Sequence, residues 1–201
     1  MITKNEFIKL IKPHEPCQEG LDLIVRCKDM EELFNAMSGY NWTWLLIRQP
    51  QFAERCDWSL LEGCNWPQLL IDQPQFEEHC DWSKLNGDDW SWLLIHQPQL
   101  AKHCNWARLS GWSWSYLLLE QPQFAEHCDW SKLSGEDWRY LLKHQPQFAE
   151  HCNWSLLDGG GWSCLLRKYP QFAEHCDWSK LDGWDWCHLL IVQPQFSCMS
   201  L

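Results

Sequence analysis

The sequence lacks long hydrophobic runs and has few basic residues. Its longest apolar stretches are about the length of Tyr116–Leu119, far short of the ~18 residues that span a bilayer, and residues 1–6 lack the apolar core of a signal peptide. Sixteen Lys and Arg face 27 Asp and Glu, so the formal net charge is −11. Phosphate binding needs a basic face. We therefore expect no membrane segment and no nucleic-acid partner.

Catalytic motifs are also absent. The chain contains no Gly-rich phosphate loop and no Gly-x-Ser-x-Gly motif. Glu126 and His127 could be named an acid/base pair, but adjacent residues of a helix do not face each other. We therefore predict a protein that is not an enzyme and needs no cofactor. The 12 cysteines accompany no export signal, which predicts reduced thiols and a cytoplasmic location.

A 24-residue repeat organises residues 42–201. Each unit begins at a first tryptophan, continues with Leu-Leu, proline and glutamine at three, four, eight and nine residues on, and reaches a second tryptophan at sixteen. No unit gains or loses a residue. The first tryptophans are Trp42, Trp66, Trp90, Trp114, Trp138, Trp162 and Trp186, and the second are Trp58, Trp82, Trp106, Trp130, Trp154 and Trp178.

Each unit has the pattern of two short helical pieces and a one-turn piece. Trp138, Leu141 and Leu142 share the i, i+3, i+4 spacing of a helix face. Pro146 should end that helix and can occupy the first position of a second one. None of these pieces would be stable alone, but stacked units would bury their Trp, Leu, Phe and Cys side chains.

Capping residues predict where these pieces begin and end. Asp129 is a cap candidate for the turn at Trp130. Gly135 is expected to end a unit in a positive-φ conformation. The residue before the first tryptophan is a predicted helix N-cap in most units, namely Asn41, Asn65, Asp89, Ser113, Asp137 and Asp185.

These patterns favour an all-α solenoid of about seven 24-residue units of short α or 3₁₀ helices. The alternative is an α/β horseshoe like that of leucine-rich repeats, in which residues 130–135 form a very short strand. β-branched residues, which strands prefer, are nearly absent from the repeats. Residues 1–41 do not repeat and are predicted to form an N-terminal helical cap, with a capping box at Thr3 and Glu6 and further helices between Leu21 and Met37.

The 24-residue period, with Leu117-Leu118 and Pro122 in their places, resembles the leucine-rich-repeat-variant family of helical solenoids. The resemblance covers residues 42–201, although this chain is much richer in tryptophan. It implies a scaffold and supplies no catalytic residues.

Two repeated polar features have structural interpretations. The His-Cys pairs, such as His127-Cys128, could form a metal or redox ladder, but one pair per unit cannot converge on the four ligands of zinc. We favour a buried cysteine beside a solvated histidine, and no metal site. The glutamine that follows each proline, from Gln51 to Gln195, is expected to form an amide ladder that satisfies backbone groups at the proline break.

A solenoid binds through residues that vary on a constant frame. Three positions vary from unit to unit: the residue after the glycine, and those two and six residues after the first tryptophan. They hold many aromatic and charged side chains, which are common anchors of interfaces. The predicted partner-binding residues are Trp44, Trp92, Tyr116, Tyr140, Trp112, Trp184, Arg48, His96 and His144.

The sequence thus predicts a scaffold that binds a protein or peptide, and the acid excess favours a basic partner. One alternative is a metal- or redox-responsive protein that uses the His-Cys pairs. Another is a structural module that self-associates through an uncapped C-terminal end at residues 196–201. Of the 17 tryptophans, seven are first and six are second tryptophans; the repeat does not require Trp44, Trp92, Trp112 and Trp184.

Overall fold

The computed structural model describes residues 2–199, and within that range it contains α-helices and 3₁₀ helices but no strand. Met1, Ser200 and Leu201 lie outside the described residues, so the predicted uncapped end falls partly outside them. Two compact units, residues 1–104 and 105–201, divide the chain. No described helix has the length and apolar character that crossing a bilayer requires.

The N-terminal unit combines three non-repeating helices with the first three repeat helices. The α-helices are α1 (Lys4–Ile11), α2 (Gln18–Arg26), α3 (Met30–Ala36), α4 (Gly39–Arg48), α5 (Trp66–Asp72) and α6 (Gly87–His96). The 3₁₀ helices are Lys12–His14, Pro50–Arg55, Trp58–Leu60, Gly63–Asn65, Pro74–His79, Trp82–Lys84 and Pro98–His103. The predicted capping box of Thr3 and Glu6 is present at the start of α1.

The C-terminal unit holds four repeat helices. They are α7 (Gly111–Glu120), α8 (Gly135–His144), α9 (Gly159–Lys168) and α10 (Gly183–Val192). The 3₁₀ helices are Trp106–Arg108, Pro122–His127, Trp130–Lys132, Pro146–His151, Trp154–Leu156, Pro170–His175, Trp178–Lys180 and Pro194–Met199.

Within each unit, consecutive repeat helices pack side by side. The all-α solenoid is therefore confirmed, and the α/β horseshoe is wrong. The segment proposed as a strand begins with a single 3₁₀ turn, Trp130–Lys132, whose N-cap Asp129 accepts a hydrogen bond from the backbone N–H of Ser131 at 3.2 Å. Pro146 occupies the first position of its 3₁₀ helix, as predicted.

The predicted N-caps of the repeat helices, with the exception of Asn65, are wrong by three residues. Helix α8 is capped by Ser134, whose hydroxyl accepts from the backbone N–H of Asp137. Asp137 lies at the third helical position and accepts from the backbone N–H of Ser134 at 2.9 Å. This is a capping box with aspartate in the usual place of glutamate. The predicted residues Asn41, Asp89, Ser113 and Asp185 occupy the same position before their first tryptophan, three residues after the cap. Asn65 directly precedes α5, as predicted, but its side chain forms a capping box with Glu62 and makes no capping hydrogen bond to α5.

The predicted role of the repeated glycine is also wrong. No glycine in the described chain has a positive φ. Gly135 is the first residue of α8, and a β-carbon there would overlap the carbonyl oxygen of Leu156 in the next unit. The glycine is therefore required by a close approach between two segments, not by its own backbone conformation.

The core consists of the same side chains in each unit. Trp138, Leu141 and Leu142 are completely buried, and Phe148 is 7% exposed. Equivalent residues are buried in the other units, apart from the half-buried Trp186 and Leu190 of α10. Duplication thus gives each unit one packing arrangement.

Glutamine side chains connect neighbouring repeats through the backbone. The glutamine before the proline donates from Nε2 to a carbonyl of the preceding repeat: Gln73 bonds Ile47 at 2.7 Å and Gln145 bonds Leu119 at 2.7 Å. These carbonyls lie at helix C-termini, where the helix leaves acceptors unpaired. The glutamine after the proline, as at Gln147, instead donates to the Oε1 of the first at 2.6 Å. The predicted amide ladder is therefore assigned to the wrong residue: the glutamine before the proline bonds the backbone, and the predicted glutamine after the proline bonds that side chain. Tyr169 replaces the first glutamine in one repeat.

Candidate partner-binding surface

The three variable positions of each repeat lie four residues apart on its α-helix or its 3₁₀ first turn. Residues i, i+4 and i+8 share one helix face, so three sets that looked separate in the sequence form one stripe on each repeat helix. The stripes of each unit are here called its variable stripe. In the N-terminal unit it consists of Tyr40, Trp44, Arg48, Cys64, Gln68, Asp72, Asp88, Trp92 and His96. In the C-terminal unit it consists of Trp112, Tyr116, Glu120, Glu136, Tyr140, His144, Gly160, Cys164, Lys168, Trp184, His188 and Val192.

The large exposed aromatic side chains of the described chain all lie on this stripe. Tyr40 is 70%, Trp92 42%, Trp112 55% and Trp184 73% exposed. Burying such rings usually stabilises a fold. Their exposure in a protein whose other tryptophans are buried or half-buried marks the stripe as the distinctive part of the surface.

In the N-terminal unit, the stripe pairs aromatic rings with polar groups. The guanidinium carbon of Arg48 lies 4.7 Å from the ring centroid of Trp44, and its Nη1 donates to the Trp44 carbonyl at 3.2 Å. The His96 ring lies 4.4 Å from the Trp92 ring. Trp44 and Arg48 are half-buried, whereas His96 is exposed. The Arg48 contact thus places a guanidinium within cation–π distance of an indole of this surface.

The Tyr40 hydroxyl lies 3.3 Å from the Sγ atom of Cys64, which connects α4 to the following repeat. This hydrogen bond raises the pKa of Tyr40. The Tyr40 hydroxyl is therefore neutral near pH 7.

In the C-terminal unit, three aromatic rings from two helices meet. The ring of Trp112 in α7 lies 5.6 Å from that of Tyr140 in α8, tilted by 38°, and 6.4 Å from that of Tyr116, tilted by 10°. Tyr116 and Tyr140 are half-buried. We call Trp112, Tyr116 and Tyr140 the aromatic cluster.

Of the other predicted residues in this unit, His144 lies next to the aromatic cluster and Trp184 lies on another helix. The exposed His144 packs against Tyr140 at 5.3 Å. Trp184 lies on α10, where it contacts His188 at 4.5 Å. The structure therefore brings Trp112, Tyr116, Tyr140 and His144 together.

Carboxylates flank the aromatic cluster. Glu120 and Glu136 occupy the stripe positions four residues from Tyr116 and Tyr140, and both are exposed. Glu136 forms an ion pair with Arg139, which raises the pKa of the arginine. Helix α7 contributes no basic side chain to the stripe.

The histidines of the His-Cys pairs have a contact that sequence reasoning missed. Each stacks on the second tryptophan of the preceding repeat: His151 lies parallel to Trp130 with centroids 4.4 Å apart. Trp130 also stacks on Trp138, the first tryptophan of helix α8, with centroids 5.5 Å apart. The sequence does contain a signal for this contact, because a histidine follows five of the six second tryptophans by 21 residues. No general rule, however, predicts that residues at this spacing stack on each other.

The cysteines of these pairs are poor nucleophiles. Burial raises the pKa of Cys128 and Cys152 to about 12, so almost no thiolate forms at neutral pH. Within residues 2–199, no three His, Cys, Asp or Glu side chains form a group that could hold a metal ion. The two side chains of a pair thus have separate structural contacts.

Comparison of the chain with protein-family models, with curated proteins and with solved structures gave no match.

Proposed function

We propose that this protein is a non-enzymatic repeat scaffold that binds a basic protein or peptide through its variable stripe. The observation that carries the proposal is that the exposed aromatic rings of the described chain are concentrated at positions that the repeat leaves free to vary. Trp, Tyr and Arg are the side chains that most often dominate binding energies at interfaces.

The aromatic cluster is the proposed anchor site for a cationic side chain. Its three rings lie close together, and a cation within ~6 Å of a ring centroid is attracted to the ring face. Glu120 and Glu136 lie beside it, and the net charge of −11 favours approach of a basic partner. The internal Arg48–Trp44 contact is an example of the same chemistry.

The proposal also includes a family resemblance and a cellular compartment. The repeat helices support kinship with leucine-rich-repeat-variant solenoids at the level of period and helix content. All 12 cysteines are unpaired thiols, which supports a reducing compartment such as the cytoplasm.

The test is selection of linear peptides from a displayed library against the folded protein. We expect enrichment of peptides with Arg or Lys. The affinity of a selected peptide should fall at least tenfold, equivalent to about 1.4 kcal/mol, when Trp112 and Tyr140 are both replaced by alanine.

Leu156→Ala is the matched control, because Leu156 is an apolar side chain of the same unit that is 45% exposed but lies on a 3₁₀ turn. It should leave the affinity unchanged. Enrichment of acidic peptides, or equal losses in the control and the aromatic variants, would contradict the proposal.

A further inference from the structure

A cavity of about 790 Å³ lies within the N-terminal unit, between the non-repeating helices and α4. Its apolar wall includes Phe7 and Ile11 of α1, Leu23 of α2, Leu33 of α3 and Leu45 of α4. Pockets of 300–1,000 Å³ with mostly apolar walls are typical of small-molecule sites. The cavity does not include the aromatic cluster, although Tyr40 and Trp44 of the variable stripe line it, and the ligand proposed for it does not depend on peptide binding at that cluster.

The cavity owes part of its volume to a missing side chain. Gly20 lies inside helix α2 and lines the cavity, and a β-carbon built on it would meet only the Sγ atom of Cys17, at 3.6 Å. Glycine weakens a helix relative to other residues, so the local helix does not favour it here. Its absent side chain leaves room beside Leu23 and Ile24.

The polar groups of the cavity favour a positive charge. Glu19 and Asp22 of α2 line it, against the single guanidinium of Arg26 among its described lining residues. Asp22 accepts a hydrogen bond from Gln18 at 2.7 Å, whereas Glu19 forms no hydrogen bond or ion pair with any described residue. The ring of Tyr40 contributes further surface that attracts cations, whereas the Trp44 ring already has the Arg48 guanidinium against it.

We propose that this cavity binds a small organic cation with a straight aliphatic chain, the chain against the apolar wall and the ammonium group beside Glu19. An alkyl chain suits a wall of Phe, Ile and Leu side chains that offers it no hydrogen-bonding group. The ammonium group supplies a positive charge that balances the negative charge of Glu19 and Asp22.

In the first experiment, the full chain is titrated with n-alkylamines from butylamine to octylamine, and isothermal calorimetry measures the affinity of each amine. Burial of one methylene contributes about fourfold in affinity, so affinity should rise by about that factor per carbon. Octanol and octanoate have the same chain with a neutral or negative head, and both should bind more weakly than octylamine. Tighter binding of octanoate, or affinity independent of chain length, would overturn the proposal.

The second experiment fills the cavity. Gly20→Leu adds a side chain to the wall and replaces glycine by a better helix former, so octylamine binding should be lost while the thermal unfolding midpoint is kept or raised. Val25→Leu is the matched control on the same helix, because Val25 is 77% exposed and does not line the cavity. Unchanged binding by Gly20→Leu, or equal losses in the two variants, would place the amine elsewhere.

The third experiment tests the charge. Glu19→Gln should weaken octylamine binding severalfold, and Arg26→Gln should strengthen it, because both residues line the cavity with opposite charges. Equal effects of the two substitutions would contradict the position of the ammonium group. Trp112→Ala lies outside the cavity and should leave amine binding unchanged.

Discussion

The repeated glycine at the start of each repeat helix gives the sharpest test of how neighbouring repeats pack. A β-carbon on this glycine would overlap a backbone carbonyl oxygen of the 3₁₀ turn that begins at the following second tryptophan. This holds in five of the repeats, at Gly39, Gly63, Gly111, Gly135 and Gly159. The equivalent Gly183 has no atom of residues 2–199 within 4 Å of that position, its own neighbours apart. One chain therefore contains both the perturbation, Gly135→Ala, and its control, Gly183→Ala.

The expected magnitude follows from the local distances. Besides overlapping the Leu156 oxygen, a β-carbon on Gly135 would lie 3.0 Å from the Leu156 carbonyl carbon, whereas carbon atoms normally approach to about 3.5–4.0 Å. Both contacts are backbone atoms, so helix α8 or the turn must shift. Such overpacking costs about 1–3 kcal/mol. It outweighs the ~0.4–1 kcal/mol gained when alanine restricts the unfolded chain.

We therefore expect Gly135→Ala to lower the free energy of unfolding by about 1–2 kcal/mol. Gly183→Ala should leave it unchanged or raise it by up to ~1 kcal/mol. Urea unfolding followed by circular dichroism measures the difference, and hydrogen exchange locates it, because repeat proteins can unfold in parts. Equal effects of the two substitutions would refute the packing explanation.

Three further substitutions test single contacts of the C-terminal unit. Gln145→Leu should cost about 1–3 kcal/mol in urea unfolding, because the Leu119 carbonyl loses its side-chain donor. His151→Ala should cost about 0.5–1.5 kcal/mol in the same assay, because the ring stacked on Trp130 is removed. Asp129→Asn should flatten the loss of stability below about pH 4. Hydrogen bonds from a serine hydroxyl and backbone lower the pKa of Asp129, so its carboxylate stabilises the fold above that pH and the contribution disappears on protonation.

The chain offers a control for each of these substitutions. Gln145→Tyr should retain most of the stability, because Tyr169 already donates to the equivalent Lys143 carbonyl at 3.3 Å. Arg55 replaces the stacked histidine in the first repeat, so Arg55→Ala should have little effect. Asn153 is a natural cap that does not titrate in acid. A pH profile of Asp129→Asn that matches the unchanged protein would show that this cap contributes nothing to acid sensitivity.

The helices were predictable because their signals are local. Proline at the first position of a 3₁₀ helix, apolar residues at i, i+3 and i+4, and a side-chain cap at Asp129 each act within one turn of chain. The strict 24-residue period then required every unit to repeat the arrangement. Most N-caps of the repeat helices were misplaced because residues such as Ser134 and Asp137 are both good caps, and only the backbone conformation shows which one precedes the helix.

Contacts between repeats were not predictable from the sequence. The requirement for Gly135 arises from Leu156, which follows it by 21 residues and approaches it only in the folded chain. The variable positions were found, but their union into one stripe needed the start of α8 at Gly135, which places Glu136, Tyr140 and His144 four residues apart. The cavity near Gly20 involves four helices and has no sequence signal.

The buried tryptophans show why the variable stripe is free to differ between repeats. The indole N–H groups of six first tryptophans are buried without a hydrogen bond to any described residue, at Trp42, Trp66, Trp90, Trp114, Trp138 and Trp162. An unpaired N–H costs about 1–3 kcal/mol. Burying an indole of about 150–250 Å² contributes roughly 4–6 kcal/mol at 25 cal/mol per Å². The ring therefore stabilises each unit despite its unpaired donor. Because this gain comes from the interior, the exposed aromatic rings are not needed for it, and the stripe positions are free to differ between repeats.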